Sequence, residues 1–254
     1  MIQGIDHLVV VVKDLSQATK DYEELGFTVL PGGQHPVGSH NALISFADGS
    51  YLEIIAFYRD AADHRWWEPL SKGERFVDFC FQTDDLRGDT RRLKDAGVAI
   101  NDPVPWSRKR PDGYQLHWLL ALATGAHRGV APFLIEDVTP RTERIPQQFQ
   151  HKNLVAGIGR ITVAVAELAQ VEKWYGALLG TKGEPITAEE LGAEGLRFRA
   201  GPHVLEFVTP RSATSPLIDW LRMYGPSPYS AVLNGAEPRL LDDSLTHGAK
   251  LRIA

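Results

Sequence analysis

The sequence predicts an α+β protein made of tandem strand–helix–three-strand units. Three observations predict it. A segment that starts as an apolar β-branched run, passes an acid–Leu pair into a helix-spaced stretch and stops at glycine occurs three times. Each copy is followed by three short strand-like runs, separated by turns rich in Gly, Pro and Asp. Polar residues recur at two fixed places in each copy, on the first and the last strand. Repeats of this kind define an architecture before any single motif is read.

The copies are GIDHLVVVVKDLSQATKDYEELGF, RFVDFCFQTDDLRGDTRRLKDAGV and GIGRITVAVAELAQVEKWYGALLGT. Their opening runs favour a pleated strand because branched and aromatic side chains pack well on one. The acids Asp14, Asp85 and Glu167 precede Leu, where a carboxylate caps or favours the positive end of a helix. Leu15, Ala18, Tyr22 and Leu25 then share one helical face, as do Leu86, Leu93 and Ala96 with a gap at Asp89. Gly26, Gly97 and Gly180 end the helices, since glycine accepts the left-handed conformation of a C-terminal cap.

The later strands of the first copy are expected at 28–30, 43–46 and 51–57. Those of the second are expected at 99–104, 114–123 and 132–138, and those of the third at 182–186, 195–199 and 203–208. Arg110–Pro111–Asp112–Gly113 is a hairpin turn signal, because Pro presets one turn position and Gly tolerates positive φ. Residues 212–254 depart from the repeat. SPLIDWLRMYG reads as a helix ended by Gly225, and YSAVLNG and AKLRIA read as strands, a shortened fourth unit.

Composition sets the outer bounds. The 254 residues are 43% hydrophobic and 23% charged, with a net charge of −5. That balance suits a globular core and lacks the basic footprint of a nucleic-acid binder. A single cysteine, Cys80, excludes an intrachain disulfide framework and reads as an inert core thiol. No signal-peptide pattern opens the chain, and no apolar run approaches the roughly 18 residues of a membrane span. A cytoplasmic location is the expectation. No phosphate loop, dinucleotide fingerprint, nucleophile elbow or HExxH helix is present.

Function enters through register. His7, Asp78 and Arg160 each lie seven residues before the helix-starting acid, so they share one slot. Glu53, Glu136 and Glu206 occupy the second slot, each embedded among apolar strand residues. An unpaired buried carboxylate is costly, so each of these acids needs a cation, a donor or water. In the third copy Arg160 cannot ligate a metal and is expected to pair with Glu206.

The unit, with a ligand-type residue on its first strand and Glu on its last, resembles the vicinal oxygen chelate superfamily, and most closely its glyoxalase-like members. The stretches that carry the resemblance are IDHLVVVVKDL, PGGQHPVGSHNALISFADGSYLEIIAF, SRKRPDGYQLHWLL, PFLIED and QHKNLVAGIGRITVAV, spread over most of residues 1–208. The resemblance implies that paired units curl eight strands into a cup, often around a divalent metal. Residues 1–140 are then the first cup. Residues 155–254, the third unit and the shortened fourth, form a second that has lost its polar site.

His7, Glu53, Asp78 and Glu136 become the four inward slots. This oxygen-rich set suits Mn²⁺, Mg²⁺ or Fe²⁺, with Zn²⁺ as a further choice, and Glu53 and Glu136 are the candidate catalytic carboxylates. The alternative is that His7 hydrogen-bonds Glu53 or Glu136 with no metal. Metal-dependent lyases of the superfamily carry a second His or a Gln where this chain has Asp78. Its dioxygenases use two His and a carboxylate. His35 and Asn41, on a Gly-rich loop before a strand, are expected at the rim. Arg108 and Arg110 are expected to clamp a substrate anion, and Trp118 to wall the second half. The implied function is a glyoxalase-like enzyme for a small oxygenated, anionic metabolite. A non-catalytic binding protein is the alternative, and units paired between two chains of a homodimer are the alternative to pairing within one.

Overall fold

A computed structural model describes all residues 1–254. The first unit runs β1 (Ile2–Val11), α1 (Leu15–Glu24), β2 (Leu30–Gln34), β3 (Ser39–Ser45) and β4 (Tyr51–Phe57). A connecting segment with a short helix, α2 (Trp67–Ser71), leads into the second unit. This comprises β5 (Arg75–Thr83), α3 (Leu86–Asp95), β6 (Val104–Lys109), β7 (Gln115–Ala121) and β8 (Phe133–Asp137). After α4 (Arg141–Arg144) the third unit follows: β9 (Val155–Ala164), α5 (Leu168–Leu179), β10 (Glu184–Ala188), β11 (Ala193–Ala200) and β12 (His203–Pro210). The tail holds α6 (Pro216–Tyr224), β13 (Ser227–Gly235), β14 (Arg239–Leu240) and β15 (Lys250–Ile253).

The two first units close one eight-stranded barrel in the order β1-β4-β3-β2-β6-β7-β8-β5. Each unit pairs its first strand parallel to its last, and β1 meets β5 antiparallel where the units join. The other seam is thin, a single pairing of Gln34 with Lys109. Gly33 makes that approach feasible: its φ is +142°, and a Cβ there would collide with the Lys109 carbonyl oxygen. The third unit and the tail form a second sheet in the order β10-β11-β12-β9-β13-β15-β14. This sheet stays open, because the tail supplies too few strands to close it.

Local chemistry explains the helices. Asp14 accepts hydrogen bonds from the amides of Ser16 and Gln17, and Asp85 from that of Gly88, while Glu167 makes no such bond. Gly26, Gly97 and Gly180 all have positive φ at the helix ends. The apolar gap at Asp89 is filled by polar bonds, from Thr83 and from Arg92. The second strand of each unit begins later than expected. The segment 99–104 contributes only an Ile100–Ala123 bridge before β6.

One apolar cluster of 46 buried residues spans both sheets, including Phe81 of the barrel and Tyr175 and Phe207 of the third unit. Tyr175 donates its hydroxyl to the Val130 carbonyl, and Tyr22 donates to that of Thr246. The barrel interior has its own smaller apolar set. No helix is long and apolar enough to cross a membrane.

Candidate functional site

The barrel encloses a cavity of about 470 Å³, in the usual range for small-molecule sites. Its two walls differ. The first unit contributes His7, Asn41 and Glu53, with His35 beyond the end of β2. The second contributes Trp106, Trp118, Leu120, Phe133 and Ile135. The segment joining the units lines the cavity with His64, Arg65 and Trp66.

Pleating and pairing place the central polar pair. Side chains two apart on a strand share a face, and β1 sets Val9 opposite Glu53, so His7 and Glu53 project to the same side. His7 Nε2 lies 3.3 Å from Glu53 Oε2. Its Nδ1 donates to Asp6 Oδ1 at 2.6 Å. The second Glu53 oxygen accepts from the Asn41 amide at 2.5 Å. Tyr51 stacks on the imidazole with ring centres 4.6 Å apart, and Phe133 meets it edge-on.

Burial alone drives His7 towards neutrality, but its bonds to Asp6 and Glu53 outweigh that and raise its pKa. Burial likewise pushes Glu53 up, and the hydrogen bond and charge of His7 overcome it, holding Glu53 at about 2. Both shifts favour the charged forms of the pair, imidazolium and carboxylate. Behind it, Asp6 is fully buried. Its own burial penalty is overcome by Arg144 and Arg141, which hold its carboxyl well below the usual range. Arg144 also binds Asp137 and donates to the Tyr51 hydroxyl at 2.9 Å.

Asp6 was missed in the sequence because alternation puts it on the opposite face from His7. A β-bulge between Ile5 and His7 turns it towards the imidazole. Arg144, Tyr51, His64 and Trp66 were also missed as site residues. Of these, only Trp66 carries a sequence signal, as half of the adjacent Trp66–Trp67 pair in the connecting segment.

Two expected inward acids are corrected. Glu136 lies outside the barrel. β5 sets Cys80 opposite Phe133, so Phe133 and Ile135 face the cavity and Glu136 faces away. Its carboxylate accepts from the Leu86 amide at the start of α3, at 2.8 Å. Asp78 is fully buried but already satisfied. It accepts from Arg65 at 2.7 Å, from the Trp66 indole at 3.0 Å and from the Phe79 amide. It anchors the connecting segment and does not line the cavity.

The other expected residues divide. His35 lines the cavity, shares a hydrogen bond with Ser39 Oγ, and is lowered by burial to about 4. Asn41 and Trp118 line it too, and Trp118 meets His35 edge-on. Arg108 is 3% exposed, lines the cavity and donates Nη2 to the Arg144 carbonyl at 2.7 Å. Arg110 does not: it sits in the hairpin turn, paired with Asp112 and over the Tyr114 ring. In the third unit Arg160 and Arg197 both donate to Glu206.

The expected four-ligand metal set does not assemble, since only His7 and Glu53 of its members meet. Asp6, His7 and Cys80 are the side chains whose ligand atoms lie within 4.8 Å of one another, close enough for a metal ion. Their donors are committed elsewhere. Asp6 is held by two arginines, and burial pushes the Cys80 thiol well up, against the thiolate a metal needs. As they stand these donors do not fit a resident divalent ion.

A family profile described as a glyoxalase-like domain matches residues 5–179. No curated protein matches the chain in sequence. Among solved structures, a hypothetical protein from Staphylococcus aureus is similar over 99% of this chain and 98% of its own, at 14% identity and a TM-score of 0.74. A mutant 4-hydroxymandelate synthase from Streptomyces coelicolor is similar over 93% of this chain and 72% of its own, at 17% identity and a TM-score of 0.67. At these identities the likeness is one of fold.

Proposed function

The chain belongs to the glyoxalase-like domain family of the vicinal oxygen chelate superfamily, and on that premise we propose an enzyme that moves a proton beside a carbonyl in a small oxygenated, anionic metabolite. One observation carries the reading: a buried His7–Glu53 pair, with the imidazole 3.3 Å from the carboxylate, faces the barrel cavity. At 3.3 Å their contact is long for a hydrogen bond and is readily exchanged. The substrate carbonyl oxygen takes the place of Glu53 at His7 Nε2, and the imidazolium stabilises the charge that develops on that oxygen. Glu53, released from His7, gains basicity and accepts the proton of the adjacent carbon, whose C–H electrons pass towards the carbonyl. Asp6 keeps the ring oriented through Nδ1. Returning the proton to another position completes an isomerisation. No step passes through a metal.

Deuterium wash-in tests this. Small 2-oxo acids incubated in D₂O should exchange the hydrogens beside the carbonyl. Glu53→Gln should slow exchange by on the order of 100- to 10,000-fold, measured on protein whose circular dichroism shows it still folded. Unchanged exchange removes Glu53 from the reaction.

A second reading, sequestration without chemistry, is supported by the aromatic wall and by the displacement of Asp78 and Glu136 from the cup. A protein that binds organic acids yet exchanges no hydrogen would support it. The single buried thiol suits a reducing cytoplasm.

A further inference from the structure

We propose that the cavity selects a ligand with a single carboxylate, paired with Arg108, on a flat apolar body laid against the Trp106–Trp118 wall. This rests on the cavity being the functional site, and is independent of the proton transfer assigned to it.

The charge of the head group follows from the buried charges of the barrel. His7 is matched by Glu53, Arg141 and Arg144 by Asp6 and Asp137, and Arg65 by Asp78. Arg75, buried on β5, lacks an acid, but it lies outside the cavity with its guanidinium over the Tyr224 ring. Among the buried cations that line the cavity, Arg108 alone has no acid. It is 3% exposed, its one bond is to a neutral carbonyl, and its Nε has no partner. A buried guanidinium without a counter-ion is costly, and a ligand carboxylate relieves that cost while making paired charge-assisted bonds. One unmatched buried positive charge calls for one negative charge; Arg59, which also lines the cavity without an acid, is exposed to solvent. The nearby Glu53 disfavours a dianion.

The body follows from the opposite wall. Trp106 and Trp118 are direct cross-strand partners, so both side chains project from one face of the sheet, and both line the cavity. Leu120, Phe133 and Ile135 continue that face without a polar side chain. Arg108 is two residues along β6 from Trp106, on the same face and about 7 Å away. That spacing suits a carboxylate attached directly to a fused aromatic body. The cavity of about 470 Å³ has room for it.

Calorimetry on the full chain tests both halves with three probes: 2-naphthoate, its uncharged isostere 2-naphthamide, and acetate. The expected result is naphthoate at least tenfold tighter than naphthamide, and acetate at least a hundredfold weaker than naphthoate. Arg108→Gln should abolish the acid-over-amide preference while naphthamide binds as before, which also shows that the cup is intact. Equal affinity for acid and amide in the native chain, or a preference that survives Arg108→Gln, overturns the carboxylate. Tighter binding of 2-naphthyl phosphate does the same. No binding of either naphthyl probe overturns the body. Glu53→Gln should still bind 2-naphthoate, which has no exchangeable hydrogen beside a carbonyl. Absent deuterium exchange with retained naphthoate binding therefore rejects the proton-transfer reading alone.

Discussion

His7 concentrates the chemistry of the molecule because two carboxylates reach it, Asp6 on one nitrogen and Glu53 on the other. The first partner comes from a bulge and the second from strand pairing, and only the second was legible in the repeat. His35 has the opposite setting. Burial holds it at about 4, so it stays neutral in the fold where the unfolded chain, near 6.5, takes a proton. Below about pH 6.5 the unfolded state therefore binds more protons, and stability falls as pH drops from there towards 4. Above 6.5 the effect is absent. His64, also lowered to about 4 by burial, adds in the same direction. For His35 the loss reaches about 3 kcal/mol by pH 4. In urea melts the native midpoint should drop more between pH 7 and 4.5 than that of His35→Gln. Parallel pH curves for the two proteins would rule this out.

At the scale of elements, the strand–helix–three-strand order was readable because it rests on period and punctuation: helical spacing after an acid, then a glycine with positive φ. Register was less readable, because the strand period is two and a slip of one residue reverses every side chain. β4 keeps the anticipated register and brings Glu53 inward, whereas β8 turns Phe133 and Ile135 inward and Glu136 outward. The two closing glutamates should thus respond oppositely to substitution. Glu136→Gln removes a charged acceptor from the start of α3 and should cost about 0.5–1.5 kcal/mol in a urea melt, with deuterium exchange unchanged. A large loss of exchange in Glu136→Gln would return that acid to the site. Arg110 shows the same limit: alternation paired it with Arg108, but β6 ends at Lys109 and the turn carries Arg110 away.

At the scale of the whole molecule, three copies of one unit have diverged in role. The first supplies the polar wall and the second the aromatic one, while the third holds Glu206 between Arg160 and Arg197. The barrel and the open sheet share one apolar core, so they should unfold together. A single transition, coincident by circular dichroism and by tryptophan fluorescence, is expected in urea. Two separated transitions would show that the halves are independent. Closure of the barrel was implied by resemblance. The openness of the second sheet follows from a tail that lacks the strands to complete it.

The account depends most on the charge state of one ring. Nitrogen NMR of ¹⁵N-labelled histidine should find His7 as imidazolium at pH 7, with a titration midpoint above the ordinary 6.5 that falls in Glu53→Gln. A His7 ring that is neutral at pH 7, with the same midpoint in both proteins, would contradict the buried pair and the reaction built on it.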